Sequence, residues 1–292
     1  MEVGAWDVAS VVIKAMTYAS TLAAAGGAGF LVYNGSRLSP PLERRIRRWL
    51  GICIGVALLA SFIRIGVLSG SMGGDIASVF DGGLAQMVLE MGESRSTGLR
   101  VIGLLTIATS LLLPRRFAVI TLGGAAVAAT SFAWVGHAWA ASRGSGPIAL
   151  LSLHLGCVAF WLGALTPLWM ATHDDDLARL AAIVHWFGLA ALYVVATLFT
   201  VGGLLLVVLL STPSELWTTD YGRLVLVKLV IVACLLGVAS FNKFRLTPRL
   251  QALDRTAASV LRRTIQVEIA LGVTILLVTA AFTTLVGPAS LG

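Results

Sequence analysis

The predicted fold class is an all-α bundle that crosses a membrane about eight times, and three observations predict it. Charged residues make up only 12% of the 292 and hydrophobic residues 58%, against about 25% charged in a soluble domain. Mean hydropathy is +0.92, and several apolar runs reach the roughly 20 residues that a bilayer core requires. Those runs lack strand alternation, and only helices satisfy their backbone in lipid without closing a barrel.

In chain order the runs are 8–33, 46–69, 98–114, 116–137, 148–171, 181–210, 221–241 and 265–286. The first has no basic leader and continues too long for a cleavable signal segment. The third is short and is expected to tilt or to lean on its flanks. Their connections set the sidedness. RLSPPLERRIRR (37–48), PRR (114–116) and the stretch from NKFRLTPRL to Arg262 and Arg263 are basic. These are the first, third and seventh connections, so they belong together on the cytoplasmic side. The second (70–97) carries Asp75, Asp81, Glu90 and Glu93 against Arg95, and the sixth carries Glu215 and Asp220; both belong outside. The fifth, THDDDLAR, is acidic on the cytoplasmic side, where acidic residues carry little weight. Both termini are then periplasmic.

Within 70–97, Ile76, Val79, Phe80, Leu84, Met87, Val88 and Met91 recur at helical spacing, which predicts a surface helix over 76–91. A faint parallel repeat divides the chain into halves at 1–145 and 146–292. It aligns Gly26-Gly27 with Gly163, Arg100 with Lys228, and Tyr18 with His154.

The formal charge of +7 follows the positive-inside pattern and comes with no groove-reading motif, so nucleic acid is not an expected partner. Cys53, Cys157 and Cys234 all fall inside apolar runs, where disulfides are not expected; each is a packing residue or a ligand.

Ionisable residues inside a membrane need a partner or a task. Arg64 and Arg100 lie near outer ends, and snorkelling is their expected role. Lys228 lies eight residues past Asp220, about 12 Å along the helix at 1.5 Å per residue. Glu268 and His185 share the inner end, where they form a structural ion or hydrogen-bond pair or mark a proton or ion exit.

His137 closes the fourth run in SFAWVGHAW, and His154 opens the fifth in LSLHLGCVAFWLGAL. A short loop makes the two runs antiparallel neighbours with both imidazoles at the outer face. His154, Cys157 and Trp161 follow i, i+3, i+7 and share one helical face. Two imidazoles with a thiol suit copper, although zinc accepts the same donors. The plainer alternative has each histidine bonded to a carbonyl or to water, Cys157 packing, and Trp161 either packing or facing a cation. Met72, Met87 and Met91 form an outer capture site for Cu(I) or, more simply, the apolar face of the surface helix.

The second half resembles the CopD/PcoD copper resistance family. The residues that carry the resemblance are TTDYGRLVLVKLVIVACLLGVASFNKFRLTPRL (218–250), LHLGCVAFWLGAL, GHA at 136–138 and RRTIQVEIALGV at 262–273. It is strong over 134–286 and looser before that. The resemblance implies movement of copper from the periplasm across the inner membrane, often beside a periplasmic copper carrier. His137 and His154 occupy motif positions, and Lys228, Asn242 and Glu268 also match. Cys157 and His185 depart from the pattern, as Lys243 does mildly.

The expectation is therefore a transporter embedded in lipid, not an enzyme. Copper, as Cu(I) or Cu(II), is captured by His137 and His154, with Cys157 as a further donor, and passed inward past His185 and Glu268. No ATP-binding loop stands in the sequence, so gradients or copper handover drive any transport. The alternatives are a b-type membrane cytochrome whose two histidines ligate haem, separable by a Soret band, and a metal-free scaffold subunit.

Overall fold

The computed structural model describes residues 4–113, 117–134, 146–174, 176–210 and 212–286. The described residues form helices α1 (Ala5–Asn34), α2 (Pro40–Gly73), α3 (Gly82–Val88), α4 (Ser94–Ser110), α5 (Ala118–Thr130), α6 (Gly146–Ala171), α7 (Leu177–Leu209), α8 (Glu215–Thr218), α9 (Asp220–Phe241), α10 (Thr247–Gln251) and α11 (Arg255–Leu285). No strand occurs among them, and six helices are long and apolar enough to cross a membrane: α1, α2, α6, α7, α9 and α11. Helices α4 and α5 are shorter; the 17 residues of α4 span about 25 Å at 1.5 Å per residue, below the roughly 30 Å of a hydrocarbon core. The chain is a helical, multi-pass membrane protein.

Helices α2 and α11 start well before their apolar runs because local chemistry nucleates them. Ser39 accepts from Leu42 N at 3.4 Å with Pro40 at the first helical position, an arrangement that satisfies a free donor and presets φ. Asp254 accepts from Thr256 N at 2.8 Å. Arg249 donates to Asp254 at 2.7 and 2.9 Å, and these bonds hold the Asp254 carboxyl below the usual carboxylate range.

Helix α1 lies at the centre and packs against α2, α4, α5, α6 and α11. Small residues make this possible. A Cβ at Gly26 would fall inside the contact distance of the Ala159 carbonyl and 2.8 Å from Gly163 Cα; one on Gly163 would lie 2.6 Å from Gly26 Cα. The α1 and α6 backbones therefore touch, as small residues allow in lipid. Gly103 and Gly124 bring α4 and α5 together in the same way.

Hydrogen bonds between connections fix their relative sides. Ser39 donates to Asp174 at 2.9 Å, Arg47 to the Leu111 carbonyl at 2.6 Å and Arg262 to the Thr172 carbonyl at 2.6 Å. These join the regions of the first, third, fifth and seventh connections at one end of the bundle. At the other end Trp6 donates to Gly74 O of the second connection at 3.3 Å, and Lys14 of α1 donates to Thr283 O of α11 at 2.9 Å.

That connection is not the continuous helix over 76–91 that the spacing predicts. Asp81 stops one short turn and caps α3 by accepting from Gly83 N at 2.7 Å and Leu84 N at 3.0 Å. A wide π-turn over Leu89–Glu93, with Gly92 at φ 96°, then redirects the chain into α4. Val79 instead lies against Gly66 and Gly70 of α2.

Candidate functional site

His154 stands in the third turn of α6, half-buried, with Nδ1 enclosed and without a hydrogen-bond partner. Gly202 of α7 faces it: a Cβ there would lie 3.8 Å from Cε1 and 3.9 Å from Nδ1. Lys228 of α9 stands within electrostatic reach of the imidazole. Its ammonium sits 5.7 Å from the Phe282 ring of α11, and Tyr221 meets the same ring edge-on at 5.4 Å. Among the described residues Lys228 has no carboxylate partner. Residues of four helices thus gather around an imidazole whose Nδ1 has no hydrogen-bond partner and, among the described residues, a cation without a carboxylate.

The other expected donors are placed as follows. His137 lies outside the described residues. Cys157 is a half-buried free thiol one turn from His154. Trp161 is buried in the core with Phe30, Leu165 and Leu168, so its indole packs. Met72, Met87 and Met91 are 42%, 51% and 64% exposed, so all three lie at the protein surface. Among the described residues no group of three His, Cys, Asp or Glu side chains is placed to hold a metal ion.

His185 and Glu268 do not pair with each other. His185 Nδ1 lies 3.0 Å from Gln251 Nε2, at a groove lined by Ala181, Ala182, Trp186 and Leu253. Glu268 accepts from Asn242 Nδ2 at 2.9 Å inside the bundle. The amide reaches it because Asn242 opens a π-turn, Asn242–Leu246, at the end of α9.

A second polar cluster was only partly legible in the sequence. Arg100 is 1% exposed; it turns inward and does not snorkel. Its guanidinium donates to Ser61 at 3.1 Å and Ser96 at 2.8 Å and stacks 4.3 Å from the Phe132 ring. Arg64 donates to the buried Glu93 at 2.7 Å, and Lys14 feels both of those charges. Lys14, alone in an apolar run of α1, was the signal to follow: such a lysine needs oxygen atoms nearby, and Thr283 and Thr284 supply them.

Residues 5–147 match the family model of the copper resistance protein D-like N-terminal domain, and residues 181–282 match that of copper resistance protein D. Inner membrane protein YebZ of Escherichia coli (strain K12) is 27% identical over 278 residues, covering 88% of this chain and 92% of that protein. No solved structure matches. With the N-terminal and C-terminal parts matched in order on a helical membrane bundle, the chain belongs to the copper resistance protein D (CopD) family.

Proposed function

We propose that this protein moves copper across the bacterial inner membrane, capturing it at the periplasmic face with His137 and His154 and releasing it toward the cytoplasm. The observation that carries the reading is His154 Nδ1, an enclosed ring nitrogen with no competing hydrogen bond. The family membership and the inner-membrane relative support copper and the location. In this orientation the basic connections joined through Ser39, Arg47 and Arg262 face the cytoplasm, and both termini face the periplasm. The exposed Met87 and Met91 on that side offer soft sulfur to arriving Cu(I), supplied by a periplasmic carrier protein.

Lys228 shapes the chemistry of this site. A cation beside the imidazole opposes a second cation, which suits transient capture more than storage. Lys228→Met is therefore expected to raise copper retention several-fold, measured by competition with a chromophoric chelator; unchanged or weaker retention would count against this role.

The purified protein is expected to bind copper stoichiometrically, and the His137→Ala/His154→Ala double variant to lose it, as read by elemental mass spectrometry. Equal copper in the two proteins sinks the assignment. A Soret band in the purified protein would instead favour two-histidine haem ligation.

A further inference from the structure

The Asn242 and Glu268 pair has a deficit that one proton repairs. The two residues are 8% and 4% exposed. Asn242 Nδ2 donates to Glu268 Oε1, but Asn242 Oδ1 is enclosed with no donor to accept from. The Asn242 backbone carbonyl is already engaged, accepting from Thr247 Oγ1 at 3.0 Å. As a carboxylate, Glu268 would leave two uncompensated features side by side: a buried negative charge and an orphaned amide oxygen. Both are costly where no water reaches.

Among the described residues, no cation stands there to offset the charge. The elements packed against α11 are α1, α6, α9, α10 and the 242–246 turn. Lys14 of α1 and Lys228 of α9 meet α11 at Thr283 and Phe282, about 20 Å farther along at 1.5 Å per residue. His154 of α6 lies at that same far site with Lys228. Lys243 of the turn runs along Gly188 of α7, and Arg245 is exposed. Arg249 of α10 bonds Asp254, and Arg262 of α11 itself bonds Thr172. Among the described residues, the amide is the group that faces Glu268.

We propose that Glu268 and Asn242 form a proton-binding site, with Glu268 held as a carboxylic acid. Its O–H donates to Asn242 Oδ1 while Asn242 Nδ2 donates to the other carboxyl oxygen, closing a two-hydrogen-bond ring. An acid and a primary amide are complementary in this way. The π-turn at Asn242–Leu246, a departure from α-helical geometry often found at functional positions, presents the amide. The inference is independent of the cargo and would hold for a transporter of any ion.

Infrared spectroscopy of the full chain in lipid nanodiscs at neutral pH tests it. The difference between the parent and Glu268→Gln is expected to contain a carboxylic-acid carbonyl band that shifts in heavy water. Glutamine keeps an N–H donor for Asn242 Oδ1, so this variant preserves the ring. With 13C-glutamate labelling, Asn242→Ala is expected to move the band to higher frequency, because the acid's carbonyl loses the Asn242 Nδ2 donor and its O–H loses an acceptor. This second variant decides the matter even if Glu268→Gln fails to fold. Carboxylate stretches in place of the acid band, or a band that Asn242→Ala leaves unmoved, would overturn the proposal.

Discussion

Replacing Gly26 with alanine is expected to cost about 3 kcal/mol or more, at the upper end of overpacking effects, and to leave little monodisperse protein after extraction. One added carbon would sit inside the contact distance of the Ala159 carbonyl and 2.8 Å from Gly163 Cα. Both obstacles are backbone, so no rotamer change relieves them. The helices must separate instead, and α1 carries contacts to α2, α4, α5 and α11 with it. Gly29, one turn along the same helix, provides the control. A Cβ there meets nothing within 4 Å, so Gly29→Ala is expected to be neutral or mildly stabilising. Thermal melting followed by size-exclusion chromatography compares the two. Equal melting temperatures for both variants would remove the close α1–α6 crossing.

The second large effect is electrostatic. Removing the Glu93 charge with Glu93→Gln is expected to destabilise the protein by about 3–5 kcal/mol, as loss of one partner of a buried ion pair does. Glu93 bonds Arg64 and also acts on Lys14 and Arg100. It is the carboxylate those three cations share among the described residues, so its loss leaves them repelling one another away from water. Arg64→Met alone is expected to be milder, since it removes a repelling cation along with the pair. Combining it with Glu93→Leu is expected to restore most of the loss, because a matched apolar pair costs little where a lone charge costs much. A double-mutant cycle of Arg64→Met and Glu93→Leu, each alone and both together, reads the coupling from melting free energies. Near-additive losses would show that Arg64 and Glu93 act separately.

The inner pair illustrates how much of the site was legible. Glu268 and His185 share an end of the bundle, and sequence spacing could bring them that close but no closer. Which partner each takes depended on a π-turn that hydropathy does not encode: it delivers Asn242 to Glu268, while Gln251 on α10 reaches His185. The same holds for Arg100. Its position near an outer end was visible in the run, whereas the inward turn depends on Ser61 of α2 and on Ser96 one turn back on α4. His154 was legible as a polar group on α6, but Lys228 beside it was not, because they are far apart in sequence and meet only across the bundle.

The sequence by itself determined the class of fold and the positions of the long helices, along with the grouping of the basic connections. Each is a local property: an apolar run prefers lipid whatever its neighbours, and a cap such as Ser39 or Asp254 acts within one turn. Only the tertiary structure decided which helical faces meet. In a helix that is apolar all round, hydropathy does not fix its rotation. That choice falls to backbone contact at Gly26 and Gly163 and to the few buried polar groups that must find partners.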